Sequence, residues 1–412
     1  MLIAFYIFAA LLIYLSYKSF RGGIDYLNYF KQELARPPSE FTPFATVIAP
    51  CKGIDEGLEQ NLAALIEQDY PAYEVIFVVD DESDSAVPVI DEIVSRNDEE
   101  PQSFDARSPA DPPLFRLVSS KLVVAPTAVQ SSQKVENLRE AVLHADHRSK
   151  AFVFVDSDAR PAKDWLRSLV APLSDESIGA ASGYRWFLSV KPTFASELRS
   201  AWNASIASAL GPNVKSNFCW GGSTAILRKT FERIDMRENW KGTLSDDFAV
   251  TRTLNEAGLP IHFVPRALIP SIESCSMREC LEFTTRQMKI TRVYMAHLWL
   301  LSFFGSGLFT FVILSSILIA VFSKQNTELV WAALATLVIV SVFSVGKAWL
   351  RLKAVRKVIP SVSKQTFAQL TLWLLSPPLF LLNSILALLS RRLKWRGITY
   401  ELVSPTRTRR ID

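Results

Sequence analysis

The chain has 412 residues, 49% of them hydrophobic, and a formal net charge of only +4. That length leaves room for more than one domain, and so small a charge lacks the basic stripe of a nucleic-acid binder, so no nucleic-acid partner is expected. Its four cysteines, Cys51, Cys219, Cys275 and Cys280, form no CxxC pair, and with only four histidines a structural zinc site is not expected; the thiols are expected to be reduced and to face the cytosol.

Residues 1–17 are nearly all apolar, and the positive charges (Lys18, Arg21, Lys31, Arg36) follow them rather than precede them. A cleaved signal would show the opposite order, so the segment reads as a transmembrane anchor with the chain after it in the cytosol. A juxtamembrane linker is expected over 18–39 and a cytosolic catalytic domain over 40–297. Within it, Phe44 to Pro50 reads as a strand leading into Cys51-Lys52-Gly53, and Leu58 to Gln68 as a helix with Leu58, Leu62, Leu65 and Ile66 on one face. Tyr73 to Val79 is a strand that ends at Asp80-Asp81, and Val87 to Val94 a helix. Asn97 to Pro113 is acidic and proline-rich and reads as a solvated loop, Leu114 to Val118 as a strand. Lys134 to Ala145 is a helix, and Ala151 to Val155 a strand that ends at Asp156-Ser157-Asp158. This alternation predicts an α/β fold with a mainly parallel sheet and helices on both faces. In such sheets ligands bind beyond the carboxyl ends of the strands, where these acidic and Lys-Gly features fall. Ser189 to Leu210 has Phe194, Leu198, Trp202 and Ile206 at helical spacing and suits either a core helix or a helix on the membrane surface. Ser245-Asp246-Asp247 then precedes a helix over Phe248 to Ala257.

Leu298 to Phe322 and Leu329 to Leu350 are each long enough to span a bilayer, and the short polar turn between them makes a hairpin over 298–350. A basic cytosolic loop follows over 351–366. The third membrane segment, 367–390, carries Pro377-Pro378 in its middle, and a single crossing would put Arg391, Arg392, Lys394 and Arg396 outside. A re-entrant hairpin that returns a basic cytosolic tail, 391–412, satisfies the charge rule; a kinked single span is the alternative. The whole reads as a multi-pass integral membrane protein, with a bacterial inner membrane the expected setting and the oligomeric state open.

Taken in order, Pro50-Cys-Lys-Gly53, Val79-Asp80-Asp81, Lys134-Val-Glu-Asn137, Asp156-Ser-Asp158, Gly221-Gly222-Ser-Thr and Ser245-Asp-Asp-Phe248 resemble the processive-type branch of family 2 glycosyltransferases. The nearest branches are the ceramide glucosyltransferase-like members and the bacterial hopanoid-pathway glycosyltransferases. The resemblance spans roughly residues 40 to 300. It implies a GT-A fold flanked by transmembrane helices, a nucleotide-sugar donor, Mg2+ or Mn2+ as cofactor, inversion at the anomeric carbon and a membrane lipid as acceptor. The family's closing (Q/R)xxRW motif is altered here to Arg286-Gln-Met-Lys289-Ile290, while Trp395-Arg396-Gly397 with Tyr400 resembles the tail of relatives.

Carried onto this chain, the resemblance makes Asp158 the metal ligand and Asp156 its nucleotide-side partner; flanking Ser157 in an extended run, the two project to one side. Pro50, Lys52, Gly53, Asp81, Lys134, Gly222 and Asp246 are expected around the nucleotide-sugar. Asp81 suits the base and ribose, though Asp is also an ordinary turn residue. The two lysines suit phosphate, and the glycines let backbone approach the sugar. Asp247 is the candidate general base and Asp246 the candidate N-cap of the helix that follows. Arg286, Lys289 and Arg292 share a helical face and suit either the leaving diphosphate or anionic headgroups. Trp220 suits stacking on sugar or packing in the core. A polysaccharide synthase, a lipid-phosphate glycosyltransferase and a non-enzymatic scaffold are the competing readings; the small number of spans argues against the first and the intact carboxylates against the last.

Overall fold

The structure, a computed structural model, describes residues 2–99, 117–323 and 326–411. The chain begins with helix α1 (Leu2–Leu34), which continues through most of the stretch expected as a linker. There follow β1 (Ala45–Pro50), α2 (Leu58–Ile66), β2 (Ala72–Val79), α3 (Val87–Glu99), β3 (Leu117–Val124), α4 (Gln133–Ala141), β4 (Ala151–Phe154), α5 (Trp165–Val170) and β5 (Ala180–Leu188). Then come α6 (Phe194–Ala207), β6 (Thr224–Leu227), α7 (Arg228–Arg233), α8 (Met236–Asn239), α9 (Asp246–Glu256), β7 (Ile261–Ile272) and α10 (Met277–Tyr294). Last are α11 (Ala296–Phe322), α12 (Thr327–Val355), α13 (Thr366–Thr371), α14 (Ser376–Leu389), β8 (Arg392–Trp395), β9 (Ile398–Ser404) and β10 (Arg407–Arg410). Most of the loop expected from Asn97, and the start of the strand expected at Leu114, lie outside the described residues.

The chain forms two compact units. The first comprises 33–188, 212–273 and 392–412 and holds a seven-stranded sheet in the order β3-β2-β1-β4-β6-β5-β7. All pairings are parallel except those of β6, which runs against both β4 and β5. The α/β expectation with a mainly parallel sheet therefore holds. β2 is buried from Tyr73 to Val79, the mark of a strand covered on both faces. One face carries Ile48, Ile76, Val78, Phe152 and Phe154 against α4, α7 and α9. From β1 the chain winds outward through β2 and β3, then returns to β4 on the other side of β1. The reversal opens a crevice at the carboxyl ends of β1 and β4, where ligands bind in open α/β sheets. Gly183 sits where β5 and β7 shift register; a β-carbon there would lie 1.9 Å from the Ala267 carbonyl oxygen, so the close approach requires glycine. Trp165, Trp186 and Trp240 are fully buried in this unit, each contributing about 1.5–3 kcal/mol of apolar burial or more.

The second unit comprises 1–32, 189–211 and 274–391. Among the described residues three helices, α1, α11 and α12, are long and apolar enough to cross a membrane. Their outward residues stay bare, among them Leu301 at 70% and Phe322 at 75% exposure, which suits hydrocarbon and not water. Their inward faces bury Phe5, Ala9 and Leu12 against Val312, Ala333 and Val340. A fourth apolar stretch is bent by 61° between Pro360–Leu374 and Ser376–Leu389. Pro377 and Pro378 fall in the first turn of α14, where a missing N–H costs nothing, so they start a helix after the bend. α6, in the stretch 189–210 read as a core or a membrane-surface helix, belongs to this unit; its Trp202 is fully buried and stacks on Phe380 at 4.7 Å, while its Phe194 is 56% exposed. Ser276 and Glu279 form a reciprocal capping box that fixes the start of α10.

Candidate active site

The site is built on loops that leave parallel strands, so its backbone is positioned by the sheet. After β1, the Cys51 N–H donates to the Val78 carbonyl at 2.8 Å, tying the loop to β2. Pro50 closes β1, and Lys52 then reaches Asp80, with Nζ 2.9 and 2.7 Å from its two carboxylate oxygens. Gly53 has φ +69°, and its N–H donates to Asp84 Oδ1 at 2.8 Å. Asp81 is exposed at the end of β2 and accepts from the N–H and hydroxyl of Ser83, both at 2.8 Å, which hold its carboxyl below the usual range. Lys52 and Asp81 thus stand beyond the carboxyl ends of β1 and β2, which pair as neighbours.

β4 ends at Phe154, so Asp156-Ser157-Asp158 is a turn and not the extended run expected, and this turn meets a second cation. Arg185, on β5, donates through Nη2 to Asp156 Oδ2 at 2.9 Å and lies 3.4 Å from Asp158 Oδ2 through Nη1. Lys134, in the first turn of α4, takes the other Asp156 oxygen at 2.7 Å and Asp246 Oδ1 at 3.1 Å. Ser132 caps α4 by accepting from the Val135 N–H, so Lys134 leaves the first turn beside that cap. Burial alone would push the Asp156 carboxyl up, but Lys134 and Arg185 outweigh it and hold it down. Asp158 is the opposite case: burial pushes it up to about 6 despite Arg185. Asp246 likewise rises to about 6, because burial and the neighbouring Asp247 and Asp156 charges outweigh Lys134. Burial disfavours the Lys134 ammonium, yet Asp156 and Asp246 more than restore it and keep it charged.

The N-cap of α9 is Ser245, not Asp246 as expected. Asp246 is the first helical residue; its carboxylate turns to Lys134, an ion pair no sequence spacing could display. Asp247 follows it on α9 and accepts from the Ser245 hydroxyl, from the Phe248 N–H at 2.8 Å and from the Gly221 N–H at 3.5 Å. A β-carbon on Gly221 would sit 2.1 Å from Asp246 Oδ2, and one on Gly222 would sit 2.2 Å from the Trp220 ring. The Gly-Gly step is therefore demanded by the carboxylate on one side and the indole on the other. Trp220 is 8% exposed and lies beneath the Arg185 guanidinium at 4.7 Å, so it serves the core and the site together.

Sequence reasoning gave no role in the site to Arg185, Asp55 or Arg396. Arg185 had no flanking motif, since its strand is interrupted by Gly183. Asp55, in the loop after β1, accepts from the Ser157 hydroxyl at 2.9 Å. Arg396 forms a two-pronged pair with Asp55, at 2.6 and 2.8 Å, from the β8–β9 turn, where it adopts φ +49°. The Tyr400 hydroxyl accepts from the Gln133 N–H at 3.2 Å, so the C-terminal three-stranded sheet is anchored beside α4 as well. Arg396→Ala is expected to lower hydrogen-exchange protection of β8–β10 roughly tenfold, about 1.4 kcal/mol, as a charge-assisted bidentate pair is lost. Unchanged protection would mean that Tyr400 and strand pairing hold the sheet unaided.

Arg286, Lys289 and Arg292 belong to the helical unit that holds the membrane candidates. Arg292 donates to the Ala387 carbonyl at 2.8 Å and lies over the Trp299 ring at 5.6 Å. It therefore satisfies the last carbonyls of α14 and braces three helices. Arg286 lies over Phe283 at 5.4 Å. Burial holds the Lys289 ammonium below its usual range.

A model of glycosyl transferase family 21 matches residues 5–103 and 113–408, so the chain belongs to that family. A stretch of 78 residues is 27% identical to a ceramide glucosyltransferase of Komagataella phaffii. It makes up 19% of this chain and spans 15% of that relative's length. Among solved structures, a mannosyltransferase from Pyrobaculum calidifontis in complex with GDP-Man and Mn2+ overlays with a TM-score of 0.43 at 18% identity. The overlay covers 92% of this chain and 99% of that one. Glucosyl-3-phosphoglycerate synthase from Mycobacterium tuberculosis overlays with a TM-score of 0.34 at 14% identity, over 64% of this chain and 80% of that one.

Proposed function

We propose that this protein is an inverting, GT-A-type membrane glycosyltransferase that moves one sugar from a nucleotide-sugar to the hydroxyl of a membrane lipid, ceramide-like or hopanoid-like. The observation that carries the reading is the chain of ion pairs at the carboxyl-end crevice, Asp246 to Lys134 to Asp156 to Arg185 to Asp158, with Asp247 next to Asp246 on α9. Membership of family 21 supports it, as does the ceramide glucosyltransferase relative.

The donor set suits Mg2+ or Mn2+. Asp158 Oδ1 is buried without a hydrogen-bond partner, an unusual and costly state for a carboxylate oxygen that a cation would relieve. Among the described residues no group of three or more His, Cys, Asp or Glu could hold a metal ion. One or two carboxylates completed by substrate phosphates and water is the arrangement Mg2+ favours. Asp158, with Asp156 beside it, would hold the cation, which would neutralise charge on the departing diphosphate. The protein's own groups do the rest. Lys52 and Lys134 offer positive charge to phosphate. Asp81, exposed at the end of β2, accepts from the base or ribose. The Gly221-Gly222 backbone leaves room for the sugar. Asp247 takes the proton of the lipid hydroxyl as its oxygen bonds to the anomeric carbon and the diphosphate leaves from the opposite face, which inverts that centre.

The acceptor class rests on the membrane helices. The tail that follows α14 packs within the catalytic unit, which supports a re-entrant 360–389 segment that returns the chain to the catalytic side. It also supports a cytosolic placement of both, in line with the basic loops.

The deciding experiment offers purified protein in nanodiscs UDP-glucose, UDP-N-acetylglucosamine, UDP-galactose and GDP-mannose with a total lipid extract and Mg2+ or Mn2+. Addition of a single sugar mass to one lipid class is the expected result. A water-soluble polymer would point to a polysaccharide synthase, and no turnover with any donor would defeat the reading. In the same assay Asp158→Ala is expected to abolish the Mn2+-dependent part of donor binding. A donor titration with Mn2+ unchanged from wild type would remove Asp158 from the metal role.

A further inference from the structure

The carboxylates suited to a divalent cation already face a cation of the protein's own. Arg185 spans them like a fork, with one nitrogen 2.9 Å from Asp156 and the other 3.4 Å from Asp158. Its guanidinium is held over Trp220 at 4.7 Å and beside Phe187 at 5.2 Å, and its side chain is 12% exposed. Asp158 meets Arg185 through Oδ2 alone and leaves Oδ1 buried and unmatched. We propose that Arg185 is a placeholder cation that makes divalent-metal binding depend on a nucleoside diphosphate, an inference that rests on the nucleotide-sugar reading above.

The physical argument is one of charge in a water-poor crevice. A bare divalent ion entering beside Asp158 meets the guanidinium as a like charge a few ångströms away, where screening is weak. It must also share carboxylates that Arg185 already engages. A diphosphate changes both terms. It supplies oxygens to the metal, and it gives the guanidinium a new partner whose geometry suits a planar fork. The aromatic faces beneath Arg185 hold its plane without fixing it to one anion, which leaves it able to move from carboxylate to phosphate. Lys134 holds the other Asp156 oxygen together with Asp246, and it remains as a counter-charge when Arg185 moves. Metal and nucleotide then strengthen one another's binding, and the coupling must be equal in both directions.

The test uses the full-length protein in detergent, with Mn2+ binding followed by the paramagnetic resonance of free Mn2+, with and without UDP, or GDP where UDP does not bind. Wild type is expected to bind Mn2+ at least ~10-fold more tightly when the nucleotide is present, within the usual range of such couplings. Arg185→Gln is expected to bind Mn2+ alone about tenfold more tightly than wild type, with the coupling reduced to about twofold. Arg185→Lys keeps the charge and is expected to retain most of the coupling, which separates charge from packing. An Arg185→Gln protein whose Mn2+ affinity without nucleotide is equal to or weaker than wild type overturns the proposal. So does wild-type Mn2+ affinity that ignores the nucleotide, a result that needs no variant to fold. Wild type that binds neither metal nor nucleotide overturns this inference and the donor reading together, whereas uncoupled binding of both overturns this inference alone.

Discussion

Asp247→Asn is expected to reduce sugar transfer by about 10²–10⁴-fold, the usual contribution of a positioned general base, while donor affinity stays within about twofold of wild type. The substitution keeps the shape of the side chain; an amide oxygen in the Oδ1 place still accepts from the Phe248 N–H, and only the long 3.5 Å bond from Gly221 at Oδ2 is given up. It removes the negative charge that would receive the acceptor's proton. The carboxylates that Lys134 and Arg185 bind are Asp156, Asp158 and Asp246, so the donor side of the site is left in place. Single-turnover rates with calorimetric titration of the nucleotide separate the two effects. Transfer at the wild-type rate would exclude Asp247 as base, and a matching loss of donor affinity would reassign it to binding.

Lys134→Ala is expected to have the largest effect on stability. Lys134 is the direct ion-pair partner of Asp246 and of one Asp156 oxygen, and its side chain is only 16% exposed. Removing one member of a buried pair while its partner stays costs about 3–5 kcal/mol. For a unit of this size that corresponds to a fall in melting temperature of about 10 °C or more. Asp246→Asn added to Lys134→Ala should recover a sizeable share of the loss, because it removes the charge that was stranded. A melting temperature within a degree or two of wild type, measured in the same detergent, would show that water reaches these carboxylates and that the network is not closed.

Much of the fold was legible because the chain repeats one unit. The apolar runs at 45–50, 72–79 and 151–154 are buried nearly throughout, as parallel strands must be, and each ends where chemistry-bearing residues begin. The second half of the sheet was harder to read. β5 contains Gly183 and Arg185, β6 is only four residues long, and β7 carries two prolines and a charge, so none shows a clean period. Their assignment comes from pairing: β5 joins β7 through a register shift, and β6 reverses direction between β4 and β5. The C-terminal sheet was hidden for a different reason. Its outer strands are short and rich in Arg and Lys, so the stretch read as a basic tail, and only docking beside Gln133 and Asp55 reveals a folded element.

The sequence by itself determined the residues with chemical capacity and their order: Asp81, Lys134, Asp156, Asp158 and Asp247, together with apolar runs long enough to span a bilayer. Strand ends and helix starts are local, and a carboxylate at the end of a buried run keeps its meaning in any register. Tertiary structure decided which charges meet. Lys134 is far from Asp246 in sequence, Arg185 from Asp156, and Arg396 from Asp55, yet each pair lies within 3.1 Å. It also moved the cap of α9 to Ser245, turned Asp246 inward and set Arg292 on the end of α14. Ion pairing in a crevice depends on distance in space and on exclusion of water, and neither quantity is written in the spacing of residues along a chain.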